Sequence, residues 1–170
     1  MTAGADRREE GTMSISPDLY EEIILDHNRN PRNFLHHPEP TTHEAHGFNP
    51  ICNDEFRVHL KVRDGVIEDL GFEGAGCAIS TASASIMTDA VKGKRVEEAE
   101  QLFEGVHRLL AGEGEPGTAL GKARVLEGVR AYPMRVKCAT LPWHILHAAL
   151  TGRRETVSTE ADEEAAHGSA

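Results

Sequence analysis

Between residues 56 and 63 the chain alternates strictly: Phe56, Val58, Leu60 and Val62 fall on one side, Arg57, His59, Lys61 and Arg63 on the other. A period of two is that of a strand with one face in a core. Asp64-Gly65 then supplies a two-residue hairpin turn, and "VIEDLGF" returns as the partner strand. A third strand is expected over residues 43 to 48. Upstream, Leu19, Ile23, Ile24 and His27 recur at helical spacing in "SPDLYEEIILDHNRNP". Ser16 stands where an N-cap belongs, Pro17 at the first helical position, and Asn30-Pro31 stops the helix.

Beyond the hairpin, the glycines of "EGAGCAISTASASIMTDAVKG" end the strand, and the run of small residues after them predicts a closely packed helix. Val96, Ala99, Leu102, Phe103, Val106, Leu109 and Leu110 form an amphipathic helix that ends near Gly112. "GEGEPGTALG" reads as a flexible connector, with a short helical piece around Val125 to Val129 that Tyr132-Pro133 breaks. The last element, "RVKCATLPWHILHAAL", turns Leu141, Ile145, Leu146, Ala149 and Leu150 inward, and Pro142 fits only in a first turn. There is no internal repeat. The expected fold is α+β, a small three-stranded antiparallel sheet with helices packed on one face. Residues 14 to 150 make one domain; 1 to 13 and the acidic stretch 151 to 170 are polar and small enough to be disordered tails.

Composition narrows the function. The 170 residues suffice for a core that needs no metal or disulfide merely to fold. A net charge of -10 excludes affinity built on phosphate neutralisation, so nucleic acid is not expected as a partner. No apolar run is long enough for a membrane span and the first thirteen residues lack a signal-peptide core, so a cytoplasmic protein without a membrane partner is expected. Aromatic residues at 5% give little material for a base- or sugar-stacking platform. "GAGC" is not a phosphate loop, because Ile79 stands where a third glycine belongs and no Gly-Lys-Ser/Thr follows.

The three cysteines carry the chemistry. In a reducing compartment they stay thiols. Each lies where one element gives way to another: Cys52 before the hairpin, Cys77 after it, Cys138 at the start of the last helix. Their separations are too long for a paired C-x-x-C ribbon. Cys77 and Cys138 near helix N-termini, with Arg135 and Lys137 beside Cys138, sit where a thiolate is favoured. Asp54, two residues from Cys52 in "NPICND", would complete a tetrahedral set for Zn²⁺. Against this stand inert packing for each cysteine and a turn-forming role for Asp54.

Four motifs taken in order, "DHNRNPRNF", "NPICND", "GAGCAISTASASIMT" and "KCATLPWHIL", resemble the IscU/SufU (NifU N-terminal-like) family of iron-sulfur cluster assembly proteins, over residues 16 to 150. Lys137, where the IscU branch has a histidine, and the long segment between Cys77 and Cys138 resemble the SufU branch. The resemblance implies that Cys52, Asp54, Cys77 and Cys138 bind zinc. It also implies that Cys52 is the catalytic acceptor of persulfide sulfur from a SufS-type, pyridoxal-phosphate-dependent cysteine desulfurase. A partner histidine would take the place of Cys52 on the zinc, and downstream iron-sulfur assembly proteins would receive the sulfur. One departure is Asn53, where the family usually has glycine; asparagine is the non-glycine residue that best tolerates a left-handed backbone. Two other functions fit the same residues. One is a scaffold on which a [2Fe-2S] cluster is built, against which Lys137 counts because an ammonium cannot ligate iron. The other is a non-catalytic zinc module that binds partners.

Overall fold

The computed structural model describes residues 16–152 and 156–158. Helix α1 (Pro17–Arg29) is capped as expected, the Leu19 N–H donating to Ser16 Oγ at 3.2 Å, and Pro31 lies just beyond its C-cap Asn30. Its buried side is Tyr20, Ile24 and His27, while Leu19 is exposed, so the inward stripe is turned by one residue from the expected one. His27 is enclosed against Ser85, whose hydroxyl lies 2.7 Å from Nδ1.

The sheet is built on β1 (His43–Asn49), β2 (Asp54–Arg63) and β3 (Val66–Ala75), paired antiparallel in that order. The turn at Asp64 and Gly65 has both residues at positive φ, 54° and 77°, as a type I′ hairpin requires. Phe56, Val58, Leu60, Leu70 and Phe72 face the core, where the helices cover them. A fourth strand, β4 (Thr156–Ser158), pairs parallel with β1 and makes the order β3-β2-β1-β4. These three residues lie in the stretch expected to be an acidic tail; backbone pairing along the open edge of β1 makes them part of the sheet instead. The expected tail over 1 to 13, and the remainder of the C-terminal one from 159 onward, lie outside the described residues.

The central element is α2 (Ala78–Val91), buried over most of its surface. Its small side chains let neighbours approach, and its hydroxyls are satisfied from those neighbours: Ser83 donates to the Ala139 carbonyl at 2.6 Å and Thr88 to the Arg32 carbonyl at 3.1 Å. Helix α3 (Val96–Ala111) ends at Gly112 with φ 72°, as read from the sequence. The short helical piece around Val125 is a longer 3-10 segment, Gly121–Ala131, followed by a second over Pro133–Arg135. Helix α4 (Val136–Leu150) starts close enough to Cys138 to hold it in the first turn, but Pro142 falls in the second turn rather than the first. Its missing N–H leaves the Cys138 carbonyl without the usual i+4 donor. Among the described residues no helix is long and apolar enough to cross a membrane.

The "NRNPRNF" segment is structural. The Arg32 N–H donates to Ser85 Oγ at 2.8 Å and Asn33 Nδ2 to Thr88 Oγ1 at 3.1 Å, both on α2. Asn33 and Leu35 have positive φ, 61° and 62°, which turns the chain along the free edge of β3, where the Phe72 N–H donates to the Asn33 carbonyl and the Leu35 N–H to that of Phe72. The crossing needs Gly71: a Cβ there would lie 1.8 Å from the His36 carbonyl oxygen.

Candidate metal centre

Three separate local structures deliver the thiols to one end of the sheet. Asn49 and Asp54 form the last pair of the β1–β2 ladder, so Cys52 lies on the turn that joins them. That turn needs a left-handed residue, and Asn53 provides it at φ 60°, the conformation anticipated for a position the family fills with glycine. Cys77 is the N-cap of α2, its sulfur accepting from the Ser80 N–H at 3.4 Å. Cys138 is fully buried in the first turn of α4. Gly76 keeps the approach open: a Cβ there would lie 2.4 Å from Ser80 Oγ and 2.6 Å from Asp54 Oδ1.

The four residues singled out in the sequence are neighbours. The donor atoms of Cys52, Asp54 and Cys138 lie within 4.8 Å of one another, and the Cys138 and Cys52 sulfurs are 2.8 Å apart. Cys77 stands at the edge of this group, its N–H donating to Asp54 Oδ1 at 2.8 Å and its thiol interacting with that of Cys138. All three cysteines are free thiols. Asp54 is 1% exposed, and its second oxygen, Oδ2, has no hydrogen-bond partner among the described residues. Leaving a buried carboxylate oxygen unpaired costs about 1–3 kcal/mol or more. A turn residue satisfying its own backbone would not be built this way, whereas the sulfurs of Cys52 and Cys138 beside such an oxygen, with Cys77 at the edge of the group, are donors suited to a tetrahedral divalent cation.

The electrostatics divide the thiols. Cys77 is lowered to about 5, first by the hydrogen bond with Cys138 and then, against the effect of burial, by the Ser80 N–H at the helix N-terminus. Cys138 is pushed up, first by the same bond with Cys77, then by burial and by its contact with Cys52. Without a metal, negative charge on this pair is thus favoured on Cys77 over Cys138. Arg135 serves Cys138, as expected, and a second thiol as well: interaction with Cys138, then the charges of Cys77 and Cys52, raise its pKa, and its Nη1 donates to Cys52 Sγ at 3.5 Å. Asn49 is a member of the site that the sequence reading passed over. It is fully buried, its Oδ1 accepts from the Ile51 N–H at 3.2 Å to shape the turn, and its Nδ2 donates to Cys138 Sγ at 3.6 Å. Its signal was its place at the head of the Asn-Pro turn that carries Cys52.

An α+β domain with its helices on one face of a small antiparallel sheet, and a thiol-carboxylate cluster at the sheet's end, is the class this geometry defines. Residues 19–139 match the NifU-like N terminal domain, and the chain belongs to that family. It is 40% identical over 129 residues to the zinc-dependent sulfurtransferase SufU of Bacillus subtilis, covering 75% of this chain and 86% of that one. It is 41% identical over 134 residues to the iron-sulfur cluster assembly scaffold protein IscU of Streptococcus pyogenes, covering 78% and 82%. Among solved structures, a candidate iron-sulfur cluster assembly scaffold protein for the SUF system from Fervidobacterium islandicum superposes with a TM-score of 0.70 at 31% identity, over 79% of this chain and 99% of that one.

Proposed function

We propose that the protein is a zinc-dependent sulfurtransferase that accepts persulfide sulfur from a SufS-type, pyridoxal-phosphate-dependent cysteine desulfurase and passes it on for iron-sulfur cluster assembly. In this reading Cys52, Asp54, Cys77 and Cys138 hold zinc, and zinc supplies the charge that keeps several crowded thiols deprotonated at neutral pH. The observation that carries the proposal is the inequality of the three thiols. Cys138 is fully buried, and of the two partly exposed thiols Cys77 is tied into a helix cap while Cys52 lies on a four-residue turn. Cys52 is thus the accessible thiol least constrained by its backbone.

The rest of the chain suits the step. The Cys52 thiolate attacks the outer sulfur of the partner's cysteine persulfide; a new S–S bond forms to Cys52 and the partner's cysteine leaves as a thiolate. Arg135 Nη1, already on Cys52 Sγ, stabilises the negative charge of attacker and product. A histidine of the desulfurase would replace Cys52 at the metal. Exposed Ile51 is next to Cys52 in sequence and exposed Met134 next to Arg135, and Arg135, which donates to Cys52, also lines a groove with Tyr20, Ile24, Leu25, Ile79 and Tyr132. Such an apolar surface suits a protein partner.

The test is to incubate the zinc-loaded protein with a SufS-type desulfurase and ³⁵S-labelled cysteine, comparing wild type with Cys52→Ala. Label on wild type alone supports the relay. Equal label on both proteins would move the acceptor to another thiol. Bound zinc with no label on either would leave a binding module, and stoichiometric iron and sulfide in the isolated protein would instead support the scaffold role that the IscU relative's name carries.

A further inference from the structure

On the opposite face of the sheet lies a second group of metal-binding side chains. In β2, Asp54, Phe56, Val58 and Leu60 point to the helices; His59 is out of phase with them and points the other way. An outward side chain on this strand would ordinarily be wet, yet His59 is only 5% exposed, because the segment after α1 folds back across the sheet. That segment is held by its pairing with Phe72, its close passage over Gly71, and a 2.6 Å contact between His36 Nε2 and Asp69 Oδ2. It lays His37 against His59 with ring centres 4.4 Å apart.

His59 is oriented as a ligand. Its Nδ1 lies 3.1 Å from Glu44 Oε1 on the neighbouring strand, so Nδ1 carries the proton and donates it to the carboxylate. In the neutral ring the other nitrogen, Nε2, then offers its lone pair; it is buried and has no hydrogen-bond partner among the described residues. It faces Glu73 Oε1 at 3.9 Å, and His37 Nε2 is 2.9 Å from the same oxygen. Arg57 Nε, 3.9 Å from Glu73 Oε2, neutralises the far side of that carboxylate. One ligand atom from each of His37, His59 and Glu73 falls within 4.8 Å of the others.

We propose that His37, His59 and Glu73 form a second cation site, separate from the cysteine cluster, that takes a first-row divalent transition ion through two imidazoles and one carboxylate. Borderline ions such as Zn²⁺ and Fe²⁺ favour this donor set, whereas Ca²⁺ and Mg²⁺ favour all-oxygen sites. Glu44 is the positioning residue, the carboxylate behind the histidine that fixes its tautomer. Three protein ligands leave at least one position open to water. Binding exchanges the His37 Nε2 proton, now shared with Glu73, for the ion, and fastens the crossing segment to β2 and β3.

The experiment is equilibrium dialysis of the full chain against buffered Zn²⁺ with metal analysis, and a Co²⁺ titration followed by absorption. Wild type is expected to bind two zinc ions per chain, while His37→Ala and Glu73→Gln each bind one. Both altered positions are solvent-accessible, and circular dichroism checks that each variant is folded. With Co²⁺, wild type is expected to show the intense sulfur-to-metal charge-transfer band of the cysteine site together with a separate visible d–d component. The two variants keep the charge-transfer band and lose that component. The same number of ions in wild type and in both folded variants would overturn the proposal, whatever the cysteine site holds, and that result does not bear on sulfur transfer to Cys52.

Discussion

Asp54→Asn separates a carboxylate placed for a metal from one placed for the fold. In the metal-free protein two effects oppose each other. Asp54 Oδ1 accepts a charge-assisted bond from the Cys77 N–H at 2.8 Å, worth about 1.5–3 kcal/mol, of which a neutral amide oxygen keeps about half. Asp54 Oδ2 is buried without a partner among the described residues; the variant puts an amide Nδ2 there, still a buried polar atom but without the charge, which returns about 1 kcal/mol. The two nearly cancel, so the variant treated with chelator should unfold in urea within about 1 kcal/mol of wild type. With zinc the balance changes, because an amide is a poor ligand for the ion. Altering residues behind a metal ligand weakens affinity about 10–100-fold, and losing a direct ligand belongs at or above the upper end of that range. A hundredfold loss lowers the stabilisation that saturating zinc confers by about 2.7 kcal/mol. Urea titrations of both proteins, each with chelator and with excess Zn²⁺, read all four values. If Asp54→Asn destabilises the chelated protein as much as the zinc-loaded one, the carboxylate belongs to the fold and the reasoning fails.

Asn53→Gly tests the turn that carries Cys52. At φ 60° glycine relieves the left-handed backbone but gains freedom when unfolded, so stability should change by less than about 1 kcal/mol. Zinc stoichiometry should be unchanged and the rate of sulfur transfer modestly altered; loss of zinc would contradict this account of the loop. His27 gives a pH dependence. Burial, followed by the charge of Arg32, lowers its pKa below the ordinary 6.5, so the folded protein holds the ring neutral beside Ser85. Its contribution is complete above about pH 6.5 and is lost as pH falls through the lower folded value, because the unfolded chain takes up the proton first. Urea midpoints between pH 7 and 5 should therefore fall more steeply for wild type than for His27→Gln, and parallel slopes would rule out this role.

Much of the architecture was legible in residue order because it rests on local rules. Period-two alternation in β2, the Asp64-Gly65 turn, Ser16 and Pro17 at the start of α1, and Gly112 after α3 each fix a backbone state by sterics or capping within a few residues. Cys52, Asp54, Cys77 and Cys138 could be singled out because each stands at a junction between elements, and their motif order resembled a known family. Other features depend on residues far apart in sequence. Tyr20 replaced Leu19 on the buried side of α1 because the 3-10 segment packs there, Gly128 against the Tyr20 ring. Residues 156–158 read as a tail by composition, yet an open strand edge can pair with any backbone that reaches it.

The site divides along the same line. The sequence by itself determined which residue types were available and which local backbone carried them: a thiol on a turn, a thiol at a helix cap, a thiol in a first helical turn. Only the tertiary structure decided that Asn49 attends Cys138 and that Arg135 also reaches Cys52, that Asp54 keeps one buried oxygen unpaired, and that His37 reaches His59 across the far face of the sheet. The physical reason is that hydrogen-bond satisfaction and charge proximity are properties of atoms brought together in space, and most of these partners are contributed by segments with no local relation in the chain.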